Sequence, residues 1–167
     1  MSVYRTVNDN IKDIIDFILG NDELKVLLNN AEKDSLTIDP NTISLSDLME
    51  KNIYPYPNIS VPEDDVKSFI SVYMNNGKNA GSGNVYQRDA VIFIDIMCHE
   101  QCWKLDNGFI RPLLILDNLD KNVPLLSTQA IRGSLSYKDT VYLQYNKKFC
   151  GYRLIYSVTN PSRGCQS

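Results

Sequence analysis

The densest group of chemistry-bearing side chains lies in FIDIMCHEQCWKL, Phe93–Leu105, where two of the four cysteines and the only histidine fall within five residues. Two chemistries use such a set. Zinc takes about four nitrogen or sulfur ligands in a tetrahedron, normally delivered as two close pairs. Cys98, His99 and Cys102 would supply one such corner, with Cys150 or Cys165 completing it. No second pair with C-x-x-C or H-x-x-x-H spacing exists in the chain. Strand alternation also sends Cys98 and His99 to opposite faces, and Cys98 continues the Ile92, Ile94, Ile96 face, where a buried structural thiol belongs. A Cys–His nucleophilic pair fails on the same divergence, and neither a third orienting group nor a glycine-rich oxyanion turn accompanies it. The expectation is a chain without catalytic residues, bound metal or cofactor.

Other candidates are weaker. NAGSGN, Asn79–Asn84, shares only its glycines with a phosphate-cradling loop: it lacks the GKS/GKT ending and joins two strands. Asp95 stands mid-strand between two isoleucines, on the solvated or interface face of a sheet. Asp64-Asp65, after a proline, marks a turn or a strand start. The single Trp103 reads as a core or rim anchor.

These residues must be held by a chain of 167 residues, long enough for one domain with a real core. A net charge of -3 provides no basic field for a polyanion, which argues against nucleic-acid binding as the main activity. Asn and Tyr are plentiful and Lys outnumbers Arg, the skew of an AT-rich genome. No apolar run approaches the roughly 18 residues of a membrane span, and MSVYRTVNDNIKDIIDF lacks a signal-peptide core. A cytosolic site of synthesis, with free thiols, is expected.

Residues 10–29 read as an amphipathic helix, with a break at Gly20-Asn21, Asn10 or Asn8 as cap, and Asn21 recapping the second piece. SLSDLMEKN gives a short helix capped by Ser44 or Ser46. NIYPYPNISVP, with three prolines, must be extended. Residues 65–74 and 90–98 alternate as two strands of a long hairpin around a flexible polar loop, NNGKNAGSGN. FIRPLLILDNLDKNV predicts a helix with Leu113, Leu116, Leu119 and Val123 on one face and Pro112 in its first turn. Residues 131–144 and 149–159 are two further strands, turning near Asn146-Lys147. The pattern predicts an α+β fold: an antiparallel four-stranded β-sheet with helices packed on one face. It spans residues 1–160 as a single domain, with 161–167 as a flexible C-terminal tail.

The order of these pieces resembles the tail-terminator and head-tail connector (neck) proteins of tailed bacteriophages. Four segments carry the resemblance across about residues 8–158: the helix IKDIIDFILGNDELKVLL, the lead-in NIYPYPNISVPEDDVKSFISVYM, the strand AVIFIDIMCHEQCW and the Gly-x-x-Arg step GFIRPLLILDNLDKNV. It implies a structural virion protein, assembled in the host cytoplasm, that closes into a hexameric or dodecameric ring. Portal, neck or tail-tube proteins would be its partners, and DNA only passing cargo. A ring needs two different complementary faces on each subunit. On this reading the contact residues are Asn75, Asn76, Lys78, Asn79, Asn84 and Tyr86 of the loop region, with Asp95 and Arg111. The competing expectations are a small Cys/His metal-dependent or enzymatic accessory protein, and a monomeric module that binds a host protein.

Overall fold

The alternating apolar runs become one five-stranded sheet in the computed structural model, which describes residues 3–29, 31–58, 60–79, 88–126 and 134–159. The elements are α1 (Val3–Gly20), α2 (Asp22–Asn29), α3 (Leu45–Lys51), β1 (Ile53–Tyr54), β2 (Ser68–Asn79), β3 (Arg88–His99), α4 (Arg111–Leu126), β4 (Ser134–Gln144) and β5 (Phe149–Thr159). Short 3-10 turns occupy Ser35–Thr37, Pro40–Thr42 and Glu100–Cys102. The strand order is β1-β2-β3-β5-β4. The α+β class is as expected, but the sheet is mixed and has one more strand than expected. β1 pairs parallel to β2, Ile53 opposite Ile70 and Tyr54 opposite Ser71. Two residues followed directly by Pro55 are too short to show periodicity. Their place is fixed from outside, by Asn52, whose carbonyl accepts from Ile70 N at 2.8 Å.

The helix-facing side of the sheet carries Ile70 and Val72 of β2, Ile92, Ile94, Ile96 and Cys98 of β3, and Leu154, Tyr156 and Val158 of β5. Ile14 and Ile18 of α1, Leu24, Leu27 and Leu28 of α2, and Ile115, Leu119 and Val123 of α4 join them in one buried cluster. Each fully buried aliphatic side chain contributes about 1.5–3 kcal/mol to such a core. The face of α4 that reaches it is Pro112, Ile115, Leu119 and Val123. Leu113, expected on that face, is exposed, because the buried stripe runs one residue away from it. α1 begins well before the expected cap. Thr6, Val7 and Asn10 continue the Ile14–Ile18 stripe by one helical step at a time, so Asn10 is buried inside the helix. The break after Gly20 is where it was expected, and Asn21 Oδ1 accepts from Leu24 N at 3.0 Å to start α2. Ser44 likewise caps α3, accepting from Asp47 N.

β2 and β3 form the expected antiparallel pair, but the ladder extends further than expected. Asn75–Asn79, read from composition as loop, belong to β2, with Gly77 opposite Ala90 and Asn79 opposite Arg88 after a register shift between Met74 and Gly77. Ladder hydrogen bonds are made by backbone, so Asn and Gly can be carried along once the register is set. Residues 80–84 of the expected loop, the start of the third expected strand at 131–133 and the tail at 161–167 lie outside the described residues. The β4–β5 turn is built on Asn146, whose Oδ1 accepts from Lys148 N at 2.9 Å and Phe149 N at 2.7 Å. β5 approaches β3 closely at Gly151, where an added Cβ would meet Ile96 O at 1.8 Å.

Candidate functional site

Three groups of polar side chains stand out against this frame. The first is the CHEQC corner. Cys98 lies on the core face and His99 on the opposite one, as alternation requires. His99 is fully buried. Its Nε2 donates to Glu63 O at 3.0 Å and its Nδ1 accepts from Gln101 N at 3.2 Å, so the ring caps the Glu100–Cys102 turn. Its ring meets Phe149 edge-on at 5.2 Å. With both nitrogens engaged in this way, His99 is a structural bracket and is aimed away from Cys98. Cys102 donates to His99 O at 3.2 Å and stands 3.4 Å from Ser68 Oγ. Burial pushes the Cys98 thiol far above its ordinary range. Among the described residues no three His, Cys, Asp or Glu side chains gather as a metal-binding group. Trp103 is half-buried against the core, as a rim anchor.

The second group centres on Arg111, which was expected at a contact surface. It is instead fully buried, so it is no surface residue of the subunit. The first turn of α4 aims its guanidinium into a ring of carbonyls. Nε donates to Cys102 O at 2.8 Å, one Nη to Leu27 O at 2.6 Å, and the other to Glu32 O and, at 3.5 Å, to Ala31 O. Leu27 O belongs to the last turn of α2, where carbonyls lack helical partners and a cation is favoured. Asn52 completes that end: its Nδ2 donates to Leu28 O and to Ser68 O, each at 2.8 Å. Burial lowers the pKa of Arg111. The Gly-x-x-Arg step is therefore a clamp that joins α2, the 31–32 turn and the CHEQC corner. An open cleft of about 700 Å3 lies beside it, lined in part by Glu32, Lys33, Gln101 and Asp106.

The third group is on the sheet face away from the helices. Phe69, Met97 and Phe149 make a small second core there, covered at one end by Tyr54 and Val61 of the proline-rich lead-in. Further along, Asp95 pairs with Arg153, directly opposite on β5, through Nε at 2.6 Å and Nη2 at 2.8 Å. Tyr73 donates to Asp95 Oδ2 at 2.8 Å and accepts from Arg153 at 2.9 Å. The guanidinium also lies 4.3 Å over the Phe93 ring. Burial, and then the bond to Asp95, push the Tyr73 hydroxyl up to about 12. The bond to Asp95 raises the pKa of Arg153. Around this fixed charge pair, Val91, Phe93, Leu143 and Ile155 are half-buried and Val141 is exposed.

Of the expected contact residues, Asp95 thus sits on the open face within a network, and Asn75 is exposed in β2. Asn76, Lys78 and Asn79 are also in β2, while Asn84 and Tyr86 fall outside the described residues. Tyr73 and Arg153 were missed. Their signal was the alternation of β2 and of GYRLIYSV in β5, which assigns them to the same face as Asp95. No described helix is long and apolar enough to cross a membrane. No curated protein matches the chain. The family model YomW matches residues 21–158, from the cap of α2 to the end of β5, and by that match the chain belongs to the phage-associated YomW family.

Proposed function

We propose that this protein is a structural component of a tailed-phage virion, a ring subunit that joins the portal and neck to the tail or terminates the tail tube. Two lines support it: the segment order that resembles tail-terminator and connector proteins, and membership in a phage-associated family. The observation that carries the reading is the uneven covering of the sheet. Among the described residues the helices pack on one face, while the other presents half-buried apolar side chains around the Tyr73–Asp95–Arg153 network. A rigid charge pair set in apolar surroundings fixes the register of a partner more than it adds affinity. Asn75, exposed in β2, offers a separate polar contact, and a head-to-tail ring needs a second, different surface on each subunit.

Native mass spectrometry of the purified chain, with imaging of phage particles, tests this. The expected result is a closed oligomer, alone or on addition of the neighbouring neck proteins, and density for the chain in the virion. Shortening residues 80–84 to an Asn-Gly pair keeps the Gly77–Asn79 ladder and should leave the subunit folded, since loop closure depends weakly on length. It should lower the count of joined heads and tails when the gene is complemented. A chain that stays monomeric with every neck and tail protein of its phage, and is absent from the particle, would instead be a host-protein-binding module.

A further inference from the structure

The sheet row that ends at the CHEQC corner runs Ser68, Cys98, Cys150, Gln144 across four strands. Cys98 and Cys150 stand directly opposite each other on β3 and β5. Two residues further along the same ladder Glu100 N donates to Lys148 O at 2.8 Å. Hydrogen-bonded and non-bonded pairs alternate along an antiparallel ladder, so Cys98 and Cys150 are also a bonded pair, with Cα atoms about 5.5 Å apart. A disulfide spans Cα separations of about 4.4–6.8 Å. The Cβ atoms of such a pair start further apart than the ~3.8 Å of a relaxed disulfide, so a bond there draws the strands together and is readily reduced. The two thiols differ in access. Cys150 is half-exposed and lines a cleft of about 470 Å3 with Lys33, Trp103 and Lys104, whereas Cys98 is fully buried behind it.

We propose that Cys150 and Cys98 form a reversible dithiol–disulfide pair, with Cys150 as the attacking thiol and Cys98 as the resolving one. The oxidant is a small disulfide able to enter the Trp103–Lys104 cleft. The Cys150 thiolate attacks one sulfur of that disulfide, the S–S bond breaks, and one small thiolate leaves. Cys98 then loses its proton to the departing group or to water and attacks Cys150 Sγ. The second small thiolate leaves as the Cys98–Cys150 bond forms. Two protein thiols are oxidised, and one disulfide is reduced to two thiols. Because burial holds Cys98 protonated, the second step is the slow one and accelerates as pH rises.

The test uses the full chain carrying Cys165→Ser, incubated with oxidised glutathione, quenched in acid, and read by intact mass and peptide mapping. The expected product has lost two hydrogens, yields one peptide pair joined through Cys98 and Cys150, leaves Cys102 free to alkylate, and reverts with dithiothreitol. Cys98→Ser should stop at a glutathione adduct on Cys150, and Cys150→Ser should stay unmodified while folded. Three results would each overturn the proposal: an adduct on Cys150 that persists with Cys98 present, a bridge to Cys102, or folded protein inert under conditions that oxidise its urea-unfolded form.

Discussion

Arg111→Met is the sharpest test of the clamp, because methionine fills similar apolar space and removes every donor. Three short bonds disappear, to Leu27 O, Glu32 O and Cys102 O, along with the longer one to Ala31 O. A buried carbonyl left without a partner costs about 1–3 kcal/mol. At about 1.5 kcal/mol each, the two buried carbonyls, of Leu27 and Cys102, give about 3 kcal/mol, while Glu32 is exposed beside the open cleft, where water can replace the lost donor. The guanidinium's own desolvation, several kcal/mol, is recovered in the variant and keeps the total from rising to the upper end. The expected loss is therefore about 3 kcal/mol by urea titration followed by circular dichroism, with the slope unchanged. At about 2–4 °C per kcal/mol for a chain of this size, the melting temperature should fall by about 6–12 °C. Arg111→Lys should lose part of this, since an ammonium cannot reach carbonyls spread around a planar fork. If Arg111→Met melted within a degree or two of the parent, the bonds would do no more than offset desolvation, and the clamp would be the wrong description.

Gly151→Ala places a Cβ 1.8 Å from Ile96 O, a backbone atom that cannot swing aside, so the β3–β5 ladder must part. The expected destabilisation is at least the ~1–3 kcal/mol typical of overpacking, seen in the same urea titration. Ile94→Asp puts a carboxylate in the fully buried centre of β3 and should abolish cooperative melting; a soluble variant with a sharp transition would refute the packing of that strand. Tyr73 titrates near 12 against 10.0 for a free tyrosine, so the folded state holds its proton through that interval and loses stability as pH rises from about 10 to 12. A Tyr73→Phe difference titration by ultraviolet absorbance should show the late ionisation, and Asp95→Asn should bring it down toward 10.

What could be read from the sequence was whatever local periodicity controls. The Ile92–Ile96 alternation, the Gly20-Asn21 break and the Asn146 turn depend on neighbours within a few residues, and each is where it was expected. The α1 start, the two-residue β1 and the strand character of Asn75–Asn79 depend on partners distant in the chain. Composition therefore mistook a buried Asn10 for a cap and a paired ribbon for a loop. Arg111 is the clearest case. A charged residue beside a helix start looks like a surface contact until the carbonyls of Leu27 and Glu32, roughly eighty positions earlier, are brought to it. Asp95 was placed on the correct face, but its partners Tyr73 and Arg153 are joined to it only by the register of three strands.

The four long strands have a further consequence through their parity. β2, β3, β5 and β4 alternate in direction, and four is an even number, so the outer strands β2 and β4 run opposite ways. Among the described residues β1 pairs only with Ile70 and Ser71, so β2 beyond them carries no strand on its outer side, and neither does β4. Were one copy to lay its β4 along the distal β2 of the next in the same orientation, the seam would be antiparallel and the alternation would run on unbroken. Two β4 strands meeting each other would instead close a two-fold pair and bury the growing edge. Strand parity would thus make a head-to-tail junction of the kind proposed above compatible with an endless ladder, and the sheet's twist per copy would decide whether that ladder closes on itself.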